Sequence, residues 1–181
     1  MASLFSHAVA AAGIGVCFFG TRAPKRVYLT GALLAVLRDL DVVGFAFGIH
    51  YADFWGHRGF THSFVFAAFL AAVAAVLFFR EGAPPCSRVL LWSYFFLAAA
   101  SHGLLDALTN GGLGVAFFSP FDTHRYFLPW QPIAVSPIGV TRFFTSRGLA
   151  VLRSELLYIW LPTLIVAALA IRLHRRQPEQ V

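Results

Sequence analysis

Apolar and polar positions along the chain divide it into five long hydrophobic stretches, residues 4–19, 27–49, 62–79, 89–109 and 156–173. A helix needs about 20 residues to cross the hydrocarbon core of a bilayer, so the pattern predicts five spanning helices, the first short enough to tilt or lie partly in the interface. No basic residue precedes the first stretch, and the first to appear is Arg22, which is unlike a secretory signal peptide. No internal repeat is visible. The expected fold class is therefore all-α: a polytopic membrane helical bundle of about five spans forming a single membrane-embedded domain.

The connections carry the orientation. Arg22, Lys25 and Arg26 lie between the first two stretches, and Gly82, Pro84 and Pro85 form a turn between Arg80 and Arg88. Arg172, Arg175 and Arg176 close the chain. With five spans these three segments share one face, and the positive-inside rule makes that face cytoplasmic. The N-terminus, residues 50–61 and the long connection 110–154 then lie on the extracytoplasmic side. Prolines at 120, 129, 132 and 137 stand among aromatic residues in that connection. Proline fixes the backbone and removes a donor, so a structured, Pro/aromatic-rich interfacial cap is expected, with Trp55 and Trp130 as interfacial anchors.

Composition agrees with the pattern. Hydrophobic residues make up 59% and charged residues 12%, with a mean hydropathy of +0.72. An ordinary soluble domain is about 25% charged, so both that class and disorder are excluded. The net charge is +6, but the basic residues are scattered through connections and tail, which sets topology and does not form a nucleic-acid surface. Cys17 and Cys86 form no CxxC or other metal or disulfide framework.

Ionisable residues inside spans are rare and demand a reason. Here they are His7, Arg38, Asp39, Asp41, His62, His102 and Asp106, with His57 just before the third stretch and Glu155 just before the fifth. In the five-span topology all fall at the extracytoplasmic edge, while the inner halves of the spans carry almost nothing ionisable. Imidazole and carboxylate together suit zinc and other first-row metals. His102 and Asp106 are four residues apart, one turn along one helix face. Asp39 and Asp41 diverge on a regular helix, so both can face inward only if the helix ends or distorts, which Gly44 permits. Arg38 is placed to pair with Asp39, whereas His50, Asp53, His124 and His174 read as solvated.

The DLD of residues 39–41, HRGFTHS of 57–63, SHGLLDALTNGG of 101–112 and the Pro-Phe pair at 120–121, with a histidine near the N-terminus, resemble the YdjM/DUF457 family. Its members are described as membrane-bound metal-dependent hydrolases, grouped distantly with zinc-dependent phospholipase C and P1 nuclease. The resemblance runs from about Ser6 to Gly139 and implies a ligand set of His7, the Asp39/Asp41 pair, His57 or His62, His102 and Asp106. Two departures matter. Arg38 stands where the family has proline, and the second histidine and His-x-x-x-Glu set of the soluble enzymes has no counterpart, so one or two metal ions are expected, not three.

The function expected from these readings is a metal-dependent phosphoesterase acting on a lipid or other amphiphile at one membrane face. His7, Asp41, His57, His62, His102 and Asp106 would hold one or two zinc ions, with Asp39 or Glu155 as general base or orienting group. Arg58 and Arg125 would receive a phosphate, since guanidinium offers bidentate donors. The alternatives are a metal or proton transporter, disfavoured by the apolar inner halves, and a non-catalytic metal-binding membrane protein.

Overall fold

The computed structural model describes residues 1–79, 86–137 and 143–176. Among these residues the chain is all-helical; no strand forms, and only isolated bridges join Thr109 to Ile133 and Val115 to Tyr126. The helices are α1 (Leu4–Phe19), α2 (Lys25–Leu37), α3 (Phe64–Phe78), α4 (Arg88–Ala107), α5 (Ser146–Glu155) and α6 (Leu161–Arg176). A 3₁₀ segment, Arg38–Phe47, follows α2, a short 3₁₀ turn, Phe60–His62, precedes α3, and a π turn, Leu156–Trp160, joins α5 to α6. The expected turn at Gly82, Pro84 and Pro85 lies outside the described residues, as do positions 138–142 of the long connection.

Local chemistry explains the boundaries. The hydroxyls of Ser3, Ser63 and Ser87 each accept an N–H from the first turn of α1, α3 and α4, at 3.4, 3.1 and 3.2 Å. Helix α1 stops at Gly20, whose φ of 60° suits glycine and whose amide donates to the Val16 carbonyl at 2.8 Å. The second hydrophobic stretch is not one regular helix: α-helical geometry ends at Leu37 and tightens to 3₁₀ through Phe47. The long connection is also shorter than expected. Residues 110–137 form no helix, as their prolines require, but 146–155 are α5 and continue into α6 as one 31-residue helix. That extension is polar and carries Arg147 and Arg153, so hydropathy gave no sign of it; its helical face buries Gly148, Val151 and Glu155.

Among the described residues two helices, α4 and the continuous 146–176 helix, are long and apolar enough to cross a membrane, while α1 and α3 are apolar but shorter, at 16 and 15 residues. Helix α1 packs against α2, α4 and α6, and α3 packs against α4. Small residues make these approaches close. Ala67, Ala71 and Ala74 of α3 and Ala98 and Ala99 of α4 are buried, and Tyr94 stands where α1, α2 and α4 meet, its hydroxyl donating to the Ala11 carbonyl at 3.2 Å. Outward, Leu29, Leu33, Leu77, Phe78, Leu164 and Leu169 are exposed, and α6 has no buried residue, a surface suited to lipid and not to water.

One end of the bundle is closed by the long connection. The Phe64 amide bonds the Phe117 carbonyl at 2.9 Å, Ala116 bonds Arg58 at 3.0 Å, Leu128 bonds Ala107 at 3.0 Å, and Ser136 bonds Met1 at 2.9 Å. These bonds stitch the cap to the start of α3, the end of α4 and the start of the chain, and so fix the level at which the polar groups sit.

The Tyr94 junction generates a test. A Cβ at Gly31 would lie 2.0 Å from the Tyr94 hydroxyl and 2.4 Å from Cζ. Gly31→Ala is expected to destabilise the protein by about 1–3 kcal/mol through overpacking, and Tyr94→Val in the same chain should recover part of the loss. Thermal unfolding in detergent measures both.

Candidate metal centre

Five segments converge on one buried volume. His7 comes from the first turn of α1, Asp39 and Asp41 from the 3₁₀ segment, and His57 from the loop before α3. His62 ends the short 3₁₀ turn, and His102 and Asp106 occupy the last turns of α4. None of their side chains exceeds 4% exposure.

The tightest group is Asp39, His62, His102 and Asp106, whose ligand atoms all lie within 4.8 Å of one another. Nε2 of His62 and Nε2 of His102 are 2.9 Å apart, and His102 Nε2 is 3.3 Å from Asp39 Oδ1 and 3.9 Å from Asp106 Oδ2. His62 Nε2 is 3.8 Å from each of the same two carboxylate oxygens. His7 flanks the group, stacked on His102 with ring centroids 3.7 Å apart and its Nε2 3.5 Å from Asp106 Oδ1 and 4.0 Å from Asp39 Oδ2.

Asp41 belongs to a second group with His57 and His62. The Thr61 hydroxyl donates to Asp41 Oδ2 at 2.7 Å, so its oxygen can only accept from His62 Nδ1, 3.1 Å away. In a neutral His62 that bond puts the proton on Nδ1 and leaves Nε2 as a lone pair facing His102, Asp39 and Asp106. His57 Nδ1 lies 2.7 Å from Asp41 Oδ1, so in the neutral ring the proton sits on Nδ1 and Nε2 is the lone-pair nitrogen. His62 thus stands between the two carboxylates, which explains how Asp39 and Asp41 can both face inward while diverging. A carboxylate behind a ligating imidazole is the usual way to fix its tautomer and orientation.

The arginines are committed to the protein. Arg38 does not pair with Asp39: its guanidinium donates to the carbonyls of Thr61, Ala99 and Ser63 at 2.8, 2.6 and 3.1 Å. Arg58, fully buried, donates through Nε to Asp106 Oδ2 at 3.0 Å and through its amino groups to Gly111 O and Thr109 Oγ1. Its φ of 63° makes it the one non-glycine residue in the left-handed region among those described, a strain that persists only where the surroundings fix it. Gly112 makes room for it, since a Cβ there would lie 2.7 Å from Arg58 Nη1. Arg125, in the cap, donates to the carbonyls of His57, Tyr51 and Asp53 and lies over the Tyr51 ring, whose phenol burial holds above its ordinary pKa.

Glu155 stands apart from the His/Asp group. Its carboxylate accepts from the Ser3 amide, the Ser3 hydroxyl at 2.6 Å and the Ser6 hydroxyl at 2.8 Å, and Trp160 Nε1 completes the network by donating to Ser6 Oγ. This anchors the residues beside Ala2, whose amide donates to Asp106 Oδ1 at 2.8 Å. Of the residues read as solvated, His50 and Asp53 are exposed and 3.6 Å apart. The carbonyl partners of Arg38 and the Thr61 relay carry no sequence signal, because any residue supplies a carbonyl and threonine is common at helix starts.

The donor set fits a metal ion. Both oxygens of Asp39, both nitrogens of His7, Nδ1 of His102 and Nε2 of His57 are buried with no hydrogen-bond partner among the described residues. A buried carboxylate without hydrogen bonds is strongly unfavourable unless a cation compensates it. Around a tetrahedral ion with bonds of about 2.0–2.1 Å, donors sit roughly 3.3 Å apart, and the measured spacings of 2.9–3.9 Å bracket that value.

If Asp41 holds His62 and His57 in position, Asp41→Ala should weaken metal affinity by roughly 10–100-fold while leaving the helical circular dichroism unchanged. Competition against a chelating dye measures the affinity.

No solved structure matches this chain. Over 169 residues it is 37% identical to inner membrane protein YbcI of Escherichia coli strain K12, an alignment that covers 92% of this chain and 95% of that protein. A family pattern covers nearly the whole sequence, residues 1–178, including every residue of the buried group. The chain belongs to the YdjM inner membrane protein family.

Proposed function

We propose that this chain is a polytopic protein of the cytoplasmic membrane, with about five spans, its cap and buried group on the extracytoplasmic side, and that it is a metal-dependent hydrolase of phosphoesters. The observation that carries the reading is the Asp39 carboxylate, buried at 4% exposure with neither oxygen hydrogen-bonded, beside three imidazoles and Asp106. Asp39, His62, His102 and Asp106 hold the ion, with His7 flanking and with zinc favoured by the mixture of imidazole and carboxylate. A bound divalent metal lowers the pKa of water and polarises a phosphoryl oxygen.

The protein residues divide the remaining work. Asp41 orients His62 both by direct contact, its Oδ2 3.1 Å from His62 Nδ1, and through Thr61, and Arg58 and the Ala2 amide fix the two oxygens of Asp106. Asp39 Oδ1 faces His102, and Oδ2, on the His7 side, is free to take a proton. Glu155 holds the start of α1 in place through Ser3 and Ser6. Arg58 and Arg125 contribute by position and field, since their donors already serve the protein.

Charge favours an anionic substrate. Asp39, Asp41 and Asp106 bring three negative charges and Arg38 and Arg58 two positive, so with neutral imidazoles the buried group carries one net negative charge. A divalent cation reverses that sign and so favours phosphate over a neutral ester.

Inductively coupled plasma mass spectrometry on the purified protein should find about one equivalent of a transition metal, at most about two, and the His102→Ala/Asp106→Ala double variant should lose it. Equal, negligible metal in both proteins after reconstitution overturns the metal reading. Phosphoesterase activity should disappear with a chelator and return with zinc, and His62→Ala should lower it by about 100-fold or more. A metal-loaded protein inert toward every phospholipid and soluble phosphoester class tested overturns the hydrolase reading.

A further inference from the structure

A cavity of about 420 Å³ lies beside the buried group. Its walls are Leu4 and Phe5 of α1, Val36 at the end of α2, Val42 of the 3₁₀ segment, and Phe143, and its lining includes Asp39. The other walls are overwhelmingly apolar. At its mouth Leu4, Phe5, Leu40 and Phe144 are 46%, 61%, 59% and 81% exposed, so the cavity opens onto the same apolar surface that α2 turns outward with Leu29 and Leu33. The polar pocket under the cap is different in kind. It is lined by Asp53, Ser119, Thr123 and Arg125, measures about 180 Å³, and includes no residue of the His/Asp group.

Access to Asp39 is thus lined with hydrocarbon and faces the surface that lipid covers. We propose that this cavity takes one hydrocarbon chain of a bilayer amphiphile, which enters sideways from the membrane and brings its anionic head group to the cation that Asp39 and the rest of the His/Asp group would hold. Besides Asp39 the polar side chains of the lining are Ser3, whose hydroxyl is spent on Glu155, and Ser136, so a water-borne ligand would find few polar partners along the walls. A lipid chain needs none, and gains little or nothing from burial itself because it already lies in hydrocarbon. What the cavity provides is register: a chain seated between Val36 and Val42 sets the head group at the level of Asp39. The substrate class implied is a chain-bearing phosphoester. The chemistry rests on the hydrolase reading; the chain site does not.

The test is made on the full chain in nanodiscs doped with a phospholipid that carries a diazirine on one acyl chain, irradiated and mapped by peptide mass spectrometry. Labels are expected on Val36, Val42 and Phe143 above the level on Leu164 and Leu169 of the lipid-facing α6. Val42→Trp and Val36→Trp fill the cavity from different positions, and either variant that keeps wild-type metal content should lower cavity labelling about tenfold, the equivalent of roughly 1.4 kcal/mol. Should both variants lose metal, the wild-type label map alone decides. Labelling of the cavity no higher than that of α6, or crosslinks there only to a second copy of the chain, overturns the proposal. Cavity labelling in a wild-type, metal-loaded protein that hydrolyses no phosphoester would sink the hydrolase reading and leave the chain site standing. Turnover of soluble phosphoesters without cavity labelling would do the reverse.

Discussion

Everything at the capped end of this molecule depends on keeping four carboxylates, four imidazoles and two guanidiniums out of water at the end of an apolar helical bundle. An ion removed from water must find its compensation inside the protein. Each buried charge other than Asp39 has been given such compensation. Asp106 is answered by Arg58 and the Ala2 amide, Asp41 by His57 and Thr61, and both guanidiniums spend donors on backbone carbonyls. Asp39 alone is left with two bare oxygens, and that imbalance points to a cation.

The irregular backbone supplies those partners. Inside a helix the amides and carbonyls are already paired, so a buried charge has few backbone groups to use. Here α2 gives way to a 3₁₀ segment at Arg38, α3 begins behind a 3₁₀ turn, and α4 ends at Ala107, all at one level. Arg38 collects carbonyls from the turn before α3 and from α4, so it ties three elements together where a proline would have supplied only a bend. The strained backbone of Arg58 and Gly112 opposite it serve the same end, bringing a guanidinium to Asp106 from the loop before α3.

The surroundings of the centre are unlike on its two sides. Toward the cap there are ordered hydrogen bonds and a small polar pocket that stops short of the His/Asp group. Toward α1 and α2 there is an apolar cavity whose lining reaches Asp39. An enzyme of soluble metabolites would be expected to have the opposite arrangement. Membership of an inner membrane protein family and the wide exposed apolar surface agree with a site served from the bilayer.

The sequence by itself determined the helical class, the apolar stretches and the membership of His7, Asp39, Asp41, His57, His62, His102 and Asp106 in one buried group, because ionisable residues in apolar stretches are few and each needs a reason to be there. It also determined that residues 110–137 form no helix, since prolines forbid one. Only the tertiary structure decided the division of labour. Whether Asp39 or Asp41 faces the tight group depends on His62 lying between them, and the destination of Arg38 depends on carbonyls that every residue type possesses. Glu155 sits at the same level as the site but bonds Ser3 and Ser6, a choice made by how the polar helix 146–155 docks on α1. Hydropathy tells which residues avoid water; it does not tell which partner each buried charge meets, because that is fixed by backbone geometry brought together from distant parts of the chain.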